Sequence, residues 1–169
     1  AIREIDPEVK ICALASTSPS REYIMQAVRG IAERGGTEYM DYISYHAYWP
    51  VPEAAIYYIN KLKRELSAVA PNTRLLQGET GCPAILEYGH ALNGFEWDEY
   101  RQAKWDLRSM FVHWGMGNPY SVFTMTDLNY GWMIQSFGLI RCNLRGEPVY
   151  LRPKFHAVQN VTSLITGDI

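Results

Sequence analysis

Glu79 stands at the end of a short apolar run, in Leu75-Leu76-Gln77-Gly78-Glu79-Thr80-Gly81. A charge gains nothing from packing at the tip of a buried strand. In a parallel α/β sheet, however, the C-terminal strand ends are where ligands bind. Two other apolar runs end in polar groups. Met40 to His46 leads to Ser44, His46, Tyr48 and Trp49, and Tyr120 to Thr126 leads to Thr124, Thr126, Asp127 and Asn129. Each residue alone has a plainer reading, His46 as a hydrogen-bonded structural histidine and Asp127 as a turn cap. In a parallel sheet all three tips share one face, and that convergence makes them candidates for chemistry. His46, Glu79 and Asp127 would also suit a divalent cation. The chain has no His-x-His or His-Glu-x-x-His spacing, so neither a metal nor a cofactor is expected.

The elements that must position these residues alternate. Val9 to Ala15 reads as a buried strand. Ser18-Pro19 reads as a helix cap with proline at the first helical position. Ile24, Ala27, Val28, Ile31 and Ala32 then recur at helical period, and Gly35-Gly36 ends the helix. The second strand is Met40 to His46. Its helix starts near Glu53 with Ala55, Ile59, Leu62, Leu66 and Val69 on one side. The third strand, Thr73 to Gly78, delivers Glu79. After a glycine-rich loop, a helix from about Trp97 is expected to bury Ala103, Leu107, Met110, Phe111 and Trp114. The fourth strand is Tyr120 to Thr126. An irregular stretch holds Gly131 and Trp132, and a short extension at Gly138-Leu139-Ile140 turns near Arg145-Gly146. Pro153 opens a last helix with Phe155, Val158, Val161, Thr162 and Ile165. Four strand–helix units in series predict an α/β fold with a parallel sheet and right-handed crossovers in a single unit over 1–169. Four units are half of an eight-stranded barrel, which needs about 250 residues. Ala1 to Ile5 reads as the last turn of a helix begun earlier, so an upstream segment is expected.

Composition sets the outer bounds. The 169 residues are 47% hydrophobic and 20% charged, ordinary globular values that argue against disorder. Net charge of −2 argues against a nucleic-acid partner. No apolar run reaches membrane-spanning length, and no signal peptide is visible. Twelve Tyr and five Trp suit a surface that stacks on flat or sugar-like ligands, and equally an aromatic core. Cys12, Cys82 and Cys142 are an odd number in separate segments, which fits neither a disulfide framework nor a zinc spacing. Cys82, three residues after Glu79, also admits a redox or nucleophilic role.

Several motifs, in this order, resemble the C-terminal half of the barrel of clan A glycoside hydrolases, the TIM-barrel retaining glycosidases. Tyr42-Ile43-Ser44-Tyr45-His46-Ala47-Tyr48 is similar to their sixth strand, which often shows His-x-Tyr. Leu76-Gln77-Gly78-Glu79-Thr80-Gly81 is similar to their seventh, where a Glu followed by a small residue and Gly is the nucleophile. Phe137-Gly138-Leu139-Ile140 through Gly146 to Pro153-Lys154-Phe155-His156-Ala157 is similar to their eighth unit. Ala1 to Pro7 is similar to their fourth helix running into strand five.

The resemblance implies half of a (β/α)8 TIM barrel, strands five to eight, and a retaining mechanism in which two carboxylates lie about 5–5.5 Å apart. Glu79 would be the nucleophile, with Tyr48 or His46 donating to it. Trp49 and Trp132 would stack on sugar rings, and Asp127 or Asn129 would bind sugar hydroxyls. The implied partners are a carbohydrate substrate and either the N-terminal half of the barrel or a second copy of the chain. The family also implies a site outside the cytoplasm, extracellular or periplasmic. Two departures stand out. The family's acid/base follows Asn as Asn-Glu on strand four, and no Asn-Glu occurs here; on this reading strand four lies upstream of Ala1. The family tends to place a Trp at the end of strand eight, where this chain has Phe123-Thr124-Met125-Thr126-Asp127. A second reading, from a different class, is a non-catalytic carbohydrate-binding or assembly protein with a degenerate barrel.

Overall fold

A computed structural model describes residues 2–165. Four strands, β1 (Cys12–Ser16), β2 (Tyr42–His46), β3 (Arg74–Thr80) and β4 (Tyr120–Val122), form one parallel sheet in chain order. Between them run α2 (Arg21–Ala32), α3 (Ala54–Val69) and α4 (Glu99–Gly115). A single turn, α1 (Ile2–Ile5), precedes the sheet; Ala1, where that turn was expected to begin, lies outside the described residues. After β4 come two small antiparallel hairpins, β5 (Leu128–Asn129) with β6 (Ile134–Gln135), and β7 (Ile140–Cys142) with β8 (Pro148–Leu151). The last element is α5 (Pro153–Leu164), with Pro153 in its first turn. Among the described residues no helix is long and apolar enough to cross a membrane.

The main core follows from strand period two. Ile43, Tyr45 and Ala47 on β2 and its extension point to one side with Leu75 of β3. The apolar stripes of α2 (Ile24, Met25, Val28) and α3 (Ala55, Ile59, Leu62, Leu66) close over them. The other face of the sheet therefore carries Tyr42, Ser44 and His46 of β2 and Leu76 of β3, in register with Ser44.

Three local expectations change. The first long helix is capped at Ser20, not Ser18, because the Ser18 carbonyl accepts from the Ser16 hydroxyl and stays in the loop. α4 begins after Asp98, whose carboxylate accepts from the Arg101 backbone N–H at 2.7 Å as a helix cap. Its buried face is rotated from the apolar stripe: Gln102, Ala103, Trp105, Asp106, Ser109, Met110 and His113 are buried, while Phe111 is exposed. Long-range partners stabilise that polar face. Gln102 Nε2 donates to the carbonyls of Cys82 and Ser136, Lys154 from α5 pairs with Asp106 at 3.0 Å, and Tyr45 meets His113 Nδ1 at 3.0 Å. On α5, likewise, the fully buried side chain is Lys154, and Phe155, Val158 and Val161 are only half-buried.

Candidate active site

Glu79 reaches the open face of the sheet through a bulge. Tyr45 of β2 pairs with Gln77 of β3, but the next residue, His46, pairs with Glu79, so Gly78 is the extra residue. Were Gly78 paired regularly instead of bulged, strict alternation would turn Glu79 towards the helices. Instead Gln77 and Thr80 face that side, and both donate to the Ala47 carbonyl, at 3.0 and 2.6 Å. Gly78 is required sterically: a Cβ there would stand 2.1 Å from Ser44 Oγ. Gly81 is required as well, since its Cβ would stand 2.2 Å from the Phe123 carbonyl oxygen.

The Glu79 carboxylate, 33% exposed, meets a neighbour at each oxygen. The Tyr48 hydroxyl donates to Oε1 at 2.5 Å, and His46 Nδ1 lies 3.4 Å from Oε2. Burial, then the hydrogen bond to Glu79 and its charge, raise the Tyr48 pKa well above the ordinary phenol range. Tyr48 is therefore a permanent donor to the carboxylate. The structure thus brings Glu79, Tyr48 and His46 together at the ends of neighbouring strands. Such a carboxylate is equipped to act as an anion, by attack on an electrophilic carbon or by stabilising developing positive charge.

The remaining candidates are placed differently. Asp127 is held inside the protein, its side chain 2% exposed, with Arg152 bidentate across both oxygens at 2.5 and 3.0 Å. The backbone N–H groups of Gly138 and Cys142 also donate to it. Its carboxylate ties the two hairpins to the start of α5. Among the described residues no three His, Cys, Asp or Glu are grouped to hold a metal. Asn129 shapes a turn, accepting from Gly131 N and donating to the Leu144 carbonyl. Trp49 is half-buried, its ring stacked on Tyr58 of α3 at 6.3 Å. Trp132 is 76% exposed at the tip of the β5–β6 hairpin. Cys82 is fully buried with its thiol pushed up by burial, which keeps it protonated and removes the nucleophilic reading.

Sequence reasoning missed three residues around this site. The Tyr130 hydroxyl donates to Gln135 Oε1 at 3.3 Å across the β5–β6 hairpin. His90 stacks on Tyr130, with ring centroids 5.1 Å apart. Glu87, 4% exposed, accepts from Ser136 N at 2.7 Å and Ser136 Oγ at 2.5 Å. Tyr130-Gly131-Trp132, aromatics flanking a turn glycine, was a readable signal for the first. Nothing local marks His90 or Glu87. Elsewhere, a cavity of about 520 Å³ lies between α3 and α4, lined by Ile56, Phe111, Val112 and Met116.

No family model and no curated protein matches the chain. Solved structures do. A β-D-glucuronidase of Dictyoglomus thermophilum aligns over 99% of this chain and 28% of its own, at 17% identity and TM-score 0.61. An FMN-binding β-glucuronidase from Facaelibacterium prausnitzii L2-6 aligns over 91% of this chain and 23% of its own, at 18% identity and TM-score 0.59. A Ruminococcus gnavus β-glucuronidase aligns over 76% of this chain and 23% of its own, at 13% identity and TM-score 0.53. The likeness is one of fold: an α/β unit with a four-stranded parallel sheet, built like part of a TIM-barrel-like fold found in glycoside hydrolases. The chain spans about a quarter of the length of these proteins.

Proposed function

We propose that this chain carries the nucleophile of a retaining glycoside hydrolase, with Glu79 attacking the anomeric carbon of a carbohydrate substrate. On this reading β1 to β4 are strands five to eight of a (β/α)8 barrel. The other strands, with the acid/base carboxylate, come from an N-terminal half or another chain. The observation that carries the reading is the Glu79 carboxylate itself, turned onto the open face by the Gly78 bulge and held by Tyr48 at 2.5 Å and His46 at 3.4 Å. A nucleophilic carboxylate must be ionised in the ground state. A neutral phenol donor holds the carboxylate without a tight ion pair that would blunt its nucleophilicity. The attack forms a glycosyl ester to Glu79 as the leaving group departs with a proton from the acid/base. Water, deprotonated by the same group, then releases the sugar with net retention. A half barrel without its general acid is expected to be nearly inactive on unactivated glycosides.

A 2-deoxy-2-fluoroglycoside with an activated leaving group tests this, because such a probe needs a nucleophile and no acid. Mass spectrometry of the labelled protein is expected to place the sugar on Glu79, and Glu79→Gln to abolish labelling. A label on another residue, or labelling that survives in Glu79→Gln, overturns the assignment. A protein that takes no label yet binds oligosaccharide would be the carbohydrate-binding alternative.

A further inference from the structure

Tyr48 lies just outside the sheet. β2 ends at His46, and residues 47–49 belong to no helix or strand. An irregular segment has backbone freedom to lose, and that freedom opposes any hydrogen bond made from its middle residue. Yet the Tyr48 hydroxyl stands 2.5 Å from Glu79 Oε1. Side chains hold the segment on both sides of Tyr48. The Ala47 carbonyl, before it, accepts from Gln77 Nε2 at 3.0 Å and from Thr80 Oγ1 at 2.6 Å. The Trp49 carbonyl, after it, accepts from Trp105 Nε1 of α4 at 3.0 Å. All three donor residues are buried. The Tyr48 ring itself packs edge-on against the buried Phe137, with centroids 6.2 Å apart at 66°.

Two of these donors bracket the carboxylate. Gln77 and Thr80 flank Gly78-Glu79 on β3, and both reach the Ala47 carbonyl on the helix side while Glu79 takes the open side. One stretch of β3 thus carries the carboxylate and also fixes the peptide unit next to its donor. Gln77 has a further feature that stability alone does not favour. Its side chain is fully buried, and its Oε1 has no hydrogen-bond partner among the described residues. A buried amide satisfied at one end is a poorer core residue than an apolar one of similar size. Choices that go against local stability concentrate at functional sites.

We propose that Gln77, Thr80 and Trp105 are positioning residues, which fix the peptide units on either side of Tyr48 so that its hydroxyl stays on Glu79 Oε1. Each acts through the backbone of residues 47–49. The placement of Tyr48 rests on this geometry alone. Its value to a reaction rests on the nucleophile reading of Glu79, because a misplacement of about 1 Å at a reacting centre costs up to roughly a hundredfold in rate.

NMR of the 169-residue chain tests the placement. The Tyr48 hydroxyl proton, assigned by its loss in Tyr48→Phe, is expected to exchange with water about tenfold faster in Thr80→Val and in Trp105→Phe, the scale of one lost hydrogen bond. Thr80→Val keeps the side-chain shape and Trp105→Phe an aromatic ring, and each loses its donor. Thr80→Ser returns the hydroxyl and is expected to restore slow exchange. Urea midpoints fix conditions in which every variant is folded, and exchange is compared there. A residue that only stabilised the core would move the midpoint and leave this proton protected in the folded chain. Labelling by the 2-deoxy-2-fluoroglycoside at saturating probe is expected to slow by a similar factor in Thr80→Val, and Thr80→Val is expected to add nothing in the Tyr48→Phe background. Exchange unchanged in both Thr80→Val and Trp105→Phe overturns the proposal. So does a labelling loss of equal size with and without the Tyr48 hydroxyl. The nucleophile reading fails separately: a chain whose Tyr48 proton responds to both variants, but whose Glu79 takes no label, keeps the positioning role and loses the nucleophile.

Discussion

At the scale of single residues, Glu79 depends on a glycine one position before it. Gly78 is absorbed as an unpaired bulge residue, so Glu79 stays opposite His46 on the open side instead of alternating to the helix side, and Gly78 leaves room for Ser44. Gly78→Ala would drive a Cβ to 2.1 Å from Ser44 Oγ, a distance no relaxed structure keeps. Either Ser44 rotates away or the bulge shifts; Gly78→Ala is expected to cost roughly 1–3 kcal/mol, the usual range for overpacking. Chemical denaturation of Gly78→Ala, Ser44→Ala and the double variant measures this. The double variant is expected to recover at least half of the loss, because it removes the oxygen that clashes. Additive losses would show that the bulge, rather than the contact, needs glycine. The carboxylate at a strand end was legible in the sequence, because a charge closing an apolar run violates packing. The bulge was not: a bulge is a register difference between two strands, and β3 carries no local mark of how many residues β2 sets against it. The ion pair that holds Asp127 was hidden for a related reason. Its position after a strand looked like a site, but its partner Arg152 arrives 25 residues later.

At the scale of elements, the series of strands and helices followed from apolar periodicity, and α2 and α3 bury the stripes that periodicity marks. α4 does not. Its buried side holds Gln102, Asp106, Ser109 and His113, a polar stripe that reads as solvent-facing until Lys154, Tyr45 and two loop carbonyls are known to cover it. That face has a pH signature. Burial, with a smaller contribution from Lys63, lowers the His113 pKa to about 4, from an ordinary 6.5. Folded His113 thus stays neutral while the unfolded chain takes up a proton below pH 6.5. Unfolding then binds protons, and stability falls as pH drops from about 6.5 to about 4, then levels off. The shift amounts to about 3 kcal/mol across that window. Asp106 opposes it: burial raises its pKa to about 6, against the pull of Lys154, so its contribution is lost as pH rises from 3.8 towards 6. The parent curve mixes the two. The difference between the parent and His113→Gln isolates the histidine, and urea midpoints across pH 4 to 7 are expected to converge on the acid side. Parallel curves would mean that His113 takes up its proton alike in the folded and unfolded chain.

At the scale of the whole molecule, the sheet is finished on one face and unfinished on the other. α2 and α3 cover one side of β2 and β3, while Tyr42, His46 and Leu76 on the other side are only partly buried. β1 has a single strand partner, β2, and Cys12 on it is exposed. Parallel sheets are normally covered on both faces, and an unpaired edge is a template for another strand. On the proposed reading, the active site would share that deficit: its acid would lie on barrel strands other than β1 to β4. Both deficits are met at once if the remaining barrel strands dock on this face, and a stable assembly of that kind buries on the order of 1,600 Å² or more. Sedimentation velocity of the 169-residue chain at tens of micromolar is therefore expected to show self-association, and titration with a chain supplying the missing strands to replace the self-associated form with a one-to-one complex. Glu79 labelling by the fluoroglycoside should accelerate in that complex, since closing the barrel dries the site and fixes the sugar against the carboxylate. A chain that sediments as a monomer at this concentration, with Tyr42 and Leu76 still open to solvent, would show that four strands suffice. The barrel argument for a partner would then fail, whatever the chemistry at Glu79.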